Sequence, residues 1–398
     1  MKTVIVILFI VEFLLLIRFA IKEFQRNELS FRFGITFGML YFIFIPIGLL
    51  VSTGTLIVSK KDFGGTLIPD VVLENELWTS FLLILFIGGV ISYLYLPKLK
   101  GVNITKVAGS YGWKLPLFVY VILMMIIFIG SGMLNGGNWY NNRHHFMEQG
   151  GALAVLMMFL LNAGKVMFIS SLIFKWKEKG IKTMYFLPII MLFLFADMIL
   201  TGNRIYAFIS VVIIGLSFLK EYPRTILKYS IFGLPVVYYS GYFASIFRHM
   251  RGPLFLYGIP TPDYFLQVLI KAIKVEPPDV YNFLSGISES VNVNVLYGLL
   301  DQYSTPLYGT TYLKTILFPI PRKIWEGKPI TITNIAGDIF GSESLVTTFI
   351  GEIFMNFLFF GVFLLPIFLF FTEWVFRSYF KQLLNRKILL FFVGLMIF

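Results

Sequence analysis

Residues 115–134 read LPLFVYVILMMIIFIGSGML, twenty positions without a charged side chain, and residues 77–96 (LWTSFLLILFIGGVISYLYL) repeat the pattern. A helix rises about 1.5 Å per residue, so about 20 apolar residues cover the ~30 Å hydrocarbon core of a bilayer. Runs of this kind recur near 3–20, 35–57, 151–174, 184–200, 205–219, 229–247 and 349–371. A last run, 388–398, has 11 residues and is too short to cross. The expected fold is an all-α polytopic membrane protein with about 10 or more transmembrane helices. Composition agrees: 58% of the 398 residues are apolar and 14% charged, where a soluble domain has about half and about a quarter. The 45 Phe and 21 Tyr exclude a chain that stays disordered in water. With no cysteine, there is no disulfide, thiolate metal ligand or Cys nucleophile.

The formal charge of +12 suggests a polyanion partner until the basic residues are sorted by position. Alternate connections hold them: Arg18, Lys22, Arg26 and Arg32; Lys98, Lys100, Lys106 and Lys114; Lys175, Lys177, Lys179 and Lys182; Lys220, Arg224 and Lys228; Arg377, Lys381, Arg386 and Lys387. That is 19 of the 33, and the positive-inside rule puts these connections in the cytoplasm. The N-terminus is then outside, its first run a retained helix rather than a signal peptide. No nucleic-acid partner is implied. The chain divides into an N-terminal bundle of about eight helices (1–247), a large outer segment (248–348) and C-terminal helices (349–398). Nine prolines cut the outer segment into short pieces. Within it, residues 263–275 (DYFLQVLIKAIKV) predict an amphipathic helix, with Phe265, Leu266, Leu269, Ile270 and Ile273 on one side. Such a helix lies on the outer leaflet or covers the bundle.

The outer segment carries eight basic and eight acidic residues, so discrete sites matter more there than net charge. Two basic pairs stand out, Arg248 with Arg251 in FRHMRG and Arg322 with Lys323 in FPIPRKIWEGKP, which also holds Trp325 and Lys328. Arg204, in the TGNR turn, is a third basic corner. A guanidinium fork matches phosphate oxygens, so three such corners can hold a diphosphate. The competing reading is contact with lipid headgroups. Glu352 stands inside an apolar helix with Asn356 four residues on, on the same face. Such an acid is costly there unless it faces a polar cavity or a partner, so it is either a proton acceptor or the mate of a loop Arg. Glu289 in GISESVN is the second acidic candidate, equally readable as a solvated loop residue. His144 and His145, in the short outer connection, and His249, between Arg248 and Met250, are candidates for touching substrate. No metal-ligand spacing is present.

Three charges stand within other apolar runs: Glu12, Lys165 and Asp197. Counted from the outer ends of their runs, Lys165 and Asp197 differ in depth by about 15 Å, which makes Glu12 the expected partner of Lys165. A proton or ion pathway calls for more mid-membrane acids and for helices broken in paired halves, neither of which is read here. No phosphate-binding loop or dinucleotide fingerprint occurs either.

The ordered set TGNR (201–204), FRHMRG (247–252), GISESVN (286–292), FPIPRKIWEGKP (318–329) and TTFIGEIFMNFLFFG (347–361) resembles the Wzy-type O-antigen polymerases, bacterial oligosaccharide repeat-unit polymerases. The resemblance implies a GT-C-like, inverting glycosyltransferase of the bacterial plasma membrane, serving O-antigen, capsule or exopolysaccharide synthesis. It would transfer a glycan from an undecaprenyl diphosphate carrier onto a lipid-linked repeat unit at the outer face. It implies no cofactor, with membrane lipids, a flippase and a chain-length regulator as partners. In that reading Arg204, Arg248, Arg251, Arg322, Lys323 and Lys328 hold the diphosphate. Glu352 or Glu289 takes the acceptor's proton; Trp325, Tyr308 and Tyr312 could pack on sugar faces, but core packing or interface anchoring is the preferred account of all three. An O-antigen ligase and a lipid-linked oligosaccharide flippase or transporter are the alternatives.

Overall fold

The computed structural model describes residues 2–27, 29–57, 68–73, 77–97, 113–133, 139–180, 185–201, 205–219, 222–224, 246, 250, 261–274, 290–316, 325, 327–329, 332–341, 345, 347–380 and 386–395. The helices are α1 (Lys2–Asn27), α2 (Phe31–Met39), α3 (Ile45–Thr53), α4 (Leu77–Tyr95), α5 (Lys114–Gly130), α6 (Trp139–Lys179), α7 (Phe186–Thr201), α8 (Ile205–Leu219), α9 (Pro262–Ile273), α10 (Val291–Gln302), α11 (Thr310–Ile316), α12 (Ile332–Phe340), α13 (Phe349–Phe357), α14 (Gly361–Tyr379) and α15 (Arg386–Leu395). Four stretches are long and apolar enough to cross a membrane: Thr3–Arg26, Phe31–Thr53, Leu156–Lys179 and Phe349–Tyr379. Shorter apolar helices cover Leu83–Tyr95, Lys114–Gly130, Phe186–Asp197 and Ile209–Leu219. The protein is thus α-helical and membrane-embedded; of the run 229–247, only Ile246 is among the described residues.

Two compact units form. The first comprises Met1–Thr105, Val280–Lys381 and Leu390–Phe398, and the second Lys106–Asp279 and Gln382–Leu389. These units follow packing, whereas the division at 247 and 348 follows hydropathy.

In the first unit, Ser30 fixes the corner between α1 and α2. Its hydroxyl donates to Glu23 Oε1 at 2.8 Å and accepts from the Phe33 N–H at 3.1 Å, capping α2. The run from Phe31 to Thr53 is not a uniform helix: a π turn, Leu40–Phe44, separates α2 from α3. Pro46 follows at the start of α3. Its ring cannot donate to Phe42 and crowds that carbonyl, and the wider turn accommodates both. Beyond α3 the chain makes a two-residue ribbon, β1 (Thr55–Leu56) antiparallel to β2 (Val71–Val72), pairing Thr55 with Val72 and Leu56 with Val71. Helix α15 crosses α2 at van der Waals distance: a Cβ on Gly34 would overlap the Phe391 carbonyl, and one on Gly394 the Phe31 carbonyl. Small residues bring helices together in lipid, where no hydrophobic effect separates them from the solvent.

A buried ion network ties α2, α4 and α14. Arg32 Nε meets Glu373 Oε2 at 3.0 Å, Tyr93 donates to the same oxygen at 2.7 Å, and Arg377 Nη2 reaches Oε1 at 2.8 Å. The Arg32 guanidinium also donates to the carbonyls of Leu94, Leu96 and Pro97 that α4 leaves unsatisfied at its end. Arg32, read from sequence as a loop charge, is fully buried. A charge so placed is tolerable because each of its three guanidinium nitrogens donates a hydrogen bond.

In the second unit α5, α6 and α7 pack through aromatic contacts: Tyr120 on Phe193 at 4.9 Å and Phe168 on Phe193 at 4.5 Å between ring centres. Trp176 of α6 packs on Phe218 of α8 at 4.8 Å. Helix α9 begins where TPD predicts, with the Thr261 hydroxyl accepting from the Tyr264 N–H and Pro262 at the first position. Its buried line is Val268 and Ala272 with Phe265 and Leu269, set against Tyr120, Met124, Ile127 and Leu161. Leu266, Ile270 and Ile273 stay exposed, so the apolar side read from sequence is divided between the bundle and the surroundings.

Candidate functional site

Within the segment 248–348, helix α10 is buried in the first unit. Asn294 of α10 donates from Nδ2 to the carbonyls of Leu56 and Pro69, at 2.8 and 2.9 Å, which pins this helix under the β-ribbon at the end of α3. From Asn294 to Gln302 is about 12 Å of helix, and every residue from Asn292 to Leu300 is buried. Helix α10 packs against the π turn at the middle of the Phe31–Thr53 span, and against α4 and α13. After the turn Tyr303–Gly309 the chain returns as α11. The turn is anchored to α13, with the N–H groups of Leu307 and Tyr308 donating to the carbonyls of Met355 and Asn356, both at 2.9 Å.

Contacts along α4 set the depth of that anchor. Phe354 packs edge-on to Phe86 at 6.1 Å, and Phe86 is the tenth of the nineteen residues of α4. It stands about 13 Å from Leu77, where the polar triplet Glu74–Asn75–Glu76 ends and the apolar run begins. The pair α10 and α11 is therefore a helical hairpin whose turn stands level with the middle of α4. Irregular backbone at such depth survives only inside protein or against water.

The facing span is broken at the same level. Helix α13 ends at Phe357, and Leu358 takes φ 50 and ψ −142, a region open to glycine but costly for a leucine. One turn of 3-10 helix, Leu358–Phe360, leads into α14. The kink brings Gly361 under α13, where a Cβ would stand 2.5 Å from Ile353 Cγ2. Opposite the break the hairpin turn has its own left-handed pair, Tyr308 (φ 51) and Gly309 (φ 79).

Between hairpin and broken span runs a short polar chain. Asn356 Nδ2 donates to Thr311 Oγ1 at 2.7 Å, and Thr311 donates to Glu352 Oε1 at 3.0 Å. Asn356 also donates to the Glu352 carbonyl at 2.8 Å. Glu352 lies in the first turn of α13, capped by Thr348, whose hydroxyl accepts from the Gly351 N–H at 3.2 Å. A carboxylate there is favoured by the helix dipole. Buried nearby, and without a hydrogen-bond partner among the described residues, are the Asn356 Oδ1, Tyr312 hydroxyl and Thr347 hydroxyl oxygens. Unsatisfied groups of this kind cost about 1–3 kcal/mol each. Chemically, the arrangement is a hydrogen-bonded relay ending on a carboxylate in an apolar bundle, fit to take a proton from a hydroxyl.

The pairing of Glu352 with Asn356 expected from their spacing is realised through Thr311. The alternative of a loop Arg as mate is not: among the described residues the carboxylate is met by a hydroxyl. It stands in the first turn of α13, at the start of the apolar stretch Phe349–Tyr379. Tyr312 stacks on Phe368 at 4.7 Å and on Phe357 at 6.2 Å, which makes it a packing residue rather than a sugar platform. Tyr308 is 80% exposed. Trp325 is half-buried and accepts the Lys328 N–H on its carbonyl at 3.1 Å; Lys328 is buried. Arg204, Arg248, His249, Arg251, Glu289, Arg322 and Lys323 lie outside the described residues. His144 and His145 belong to helix α6, not to a loop connection, since α6 runs 41 residues and begins twelve before the apolar run. A helix continues past the hydrophobic edge where no Pro interrupts it, and NNRHHFMEQGG has none.

That longer helix also explains a mistaken pairing. Lys165 Nζ meets Asp197 Oδ2 at 2.7 Å, not Glu12, and Tyr120 donates to Asp197 Oδ1 at 2.7 Å. Lys165 also stands 4.4 Å from the centre of the Tyr206 ring. Counted from the connection shared by α6 and α7, Lys165 lies fourteen residues from Lys179 and Asp197 eleven from Phe186. Their depths differ by about 5 Å, whereas counting from the outer ends assumed those ends to be level. Glu12 Oε1 instead faces Gly88 of α4. Two spans are nonetheless irregular, at the π turn Leu40–Phe44 and at Leu358.

Thr311 was the functional residue sequence reasoning passed over. Its signal was the buried-side Thr-Thr-Tyr after a Pro/Gly turn, which says nothing of the partner 41 residues on. No family model matches this chain, and neither a curated protein nor a solved structure matches it.

Proposed function

We propose that this protein is a repeat-unit polymerase of lipid-linked glycans, working at the outer face of a bacterial plasma membrane. The observation that carries the reading is the relay from Asn356 through Thr311 to Glu352, a carboxylate held in an apolar bundle beside unsatisfied polar atoms. The acceptor is the terminal sugar hydroxyl of a lipid-linked repeat unit. Its oxygen attacks the anomeric carbon of the donor glycan, and the bond from that carbon to the carrier diphosphate breaks. The electron pair leaves with the diphosphate, the hydroxyl proton passes to Glu352, and the anomeric configuration inverts. Thr311 holds the carboxylate by one oxygen and leaves the other for the proton. Arg204, Arg248, Arg251, Arg322 and Lys323 offset the charge gathering on the leaving diphosphate. The carrier brings its own leaving group, so no nucleotide site is needed, in keeping with the missing phosphate loops. Ten or more spans of a GT-C-like arrangement, N-terminus outside, accompany this proposal.

The purified protein in liposomes, given polyprenyl-diphosphate-linked repeat units, is expected to yield products longer by whole repeat units. Products unchanged in length sink the reading. A transporter of the same lipid-linked glycan is the second reading, favoured by the helical hairpin and the broken span. It moves the substrate between leaflets of those liposomes without lengthening it.

A further inference from the structure

The hairpin turn exposes the wrong kind of surface for its depth. Asp301, Gln302, Ser304 and Thr305 are all exposed, yet Leu307 and Tyr308 just beyond them are hydrogen-bonded to Met355 and Asn356, halfway along α4, and Leu299 just before them packs beside Gly351. Lipid does not tolerate a carboxylate, an amide and open turn backbone there. The rest of the hairpin shows that burial was available: α10 hides nine consecutive residues, including Asn292 and Asn294, immediately before. The surface that Asp301–Thr305 presents must therefore meet water. Because α10 descends from the ribbon end of α3, the water enters from that side, which the charge pattern makes the outer one.

We infer that Asp301, Gln302, Ser304 and Thr305 line a water-filled vestibule reaching the middle of the membrane from the outer face, and that Asp301 and Gln302 hold sugar hydroxyls within it. The ligand half rests on the polymerase reading; the vestibule does not. A carboxylate accepts from two vicinal hydroxyls, and an amide both donates and accepts, which is the complement a saccharide offers. The same turn leads through Tyr308 to Thr311 in the first turn of α11, so a sugar held at Asp301 is delivered along the hairpin to the Glu352 relay.

The absence of cysteine makes the test clean. Ser304→Cys and Thr305→Cys are introduced singly, and intact cells are treated with a membrane-impermeant maleimide; Phe363→Cys, on an apolar face 71% exposed, is the lipid-facing comparison. Both turn positions are expected to label and position 363 to stay unlabelled. Labelling of neither turn position, or only after permeabilisation, overturns the vestibule. Asp301→Asn and Gln302→Ala are each expected to slow chain extension about tenfold, by loss of one hydrogen bond to the sugar, at an unchanged protein level in the membrane. Normal extension by both, with labelling intact, overturns the ligand half. Labelling in a chain that extends no glycan upholds the vestibule while the polymerase reading falls.

Discussion

At the scale of single residues, Thr311 decides whether Glu352 works alone or as the end of a relay. Thr311→Val keeps the volume and removes the hydroxyl, leaving the Glu352 carboxylate and the Asn356 amide each short of a partner. A loss of about 1–3 kcal/mol of stability follows from that, read as a lower melting temperature in detergent, and chain extension falls with it. Thr311→Ser is expected to restore both, and equal behaviour of Val and Ser would remove the relay. Lys165 and Asp197 make a different case. Lys165→Met or Asp197→Asn alone leaves a buried group uncompensated and costs about 3–5 kcal/mol, whereas Lys165→Met with Asp197→Leu recovers most of it. Thermal unfolding of the three variants measures this, and additive losses in the double variant contradict a coupled pair. Glu352 and Asn356 were legible in the sequence because four residues make one helical face. Thr311 was not, because only the hairpin, a long-range contact, brings it within reach.

At the scale of elements, the apolar runs were readable wherever length and composition sufficed, as for α1, α4 and α5. What hydropathy does not encode is where a helix stops being regular. The break at Leu358 falls within an unbroken apolar run, FLFFGVFLLP, and its only written sign is Gly361. Likewise α10 was assigned to an outer segment because VNVNVLYGLLDQ is too short to span, though short apolar helices also re-enter. Leu358→Gly removes a left-handed leucine and is expected to hold or raise the melting temperature, relieving about 1–3 kcal/mol of strain. Gly361→Val acts oppositely, because Ile353 fills the space a side chain needs. A melting temperature lowered by Leu358→Gly and untouched by Gly361→Val would show that the span is not broken there.

At the scale of the whole molecule, most of the basic residues are read as marking the inner connections rather than a partner. Arg32 is the exception, spent inside the ion network with Glu373 rather than in a loop. The proposed orientation, with the N-terminus outside, predicts that a tag ahead of α1 is accessible in intact cells and one inserted near Arg224 only after permeabilisation; the reverse pattern would invert the vestibule with it. The central claim is that the chain joins lipid-linked repeat units. Its most direct measurement is the length distribution of carrier-linked and surface glycan in a strain lacking the protein, complemented with the wild-type chain, Arg248→Ala, Arg322→Ala or Glu352→Gln. The account predicts single repeat units without the protein, a full ladder with the wild-type chain, and single units again with each variant at normal membrane levels. A full ladder in the deletion strain, or full-length polymer accumulating on the carrier, would contradict it.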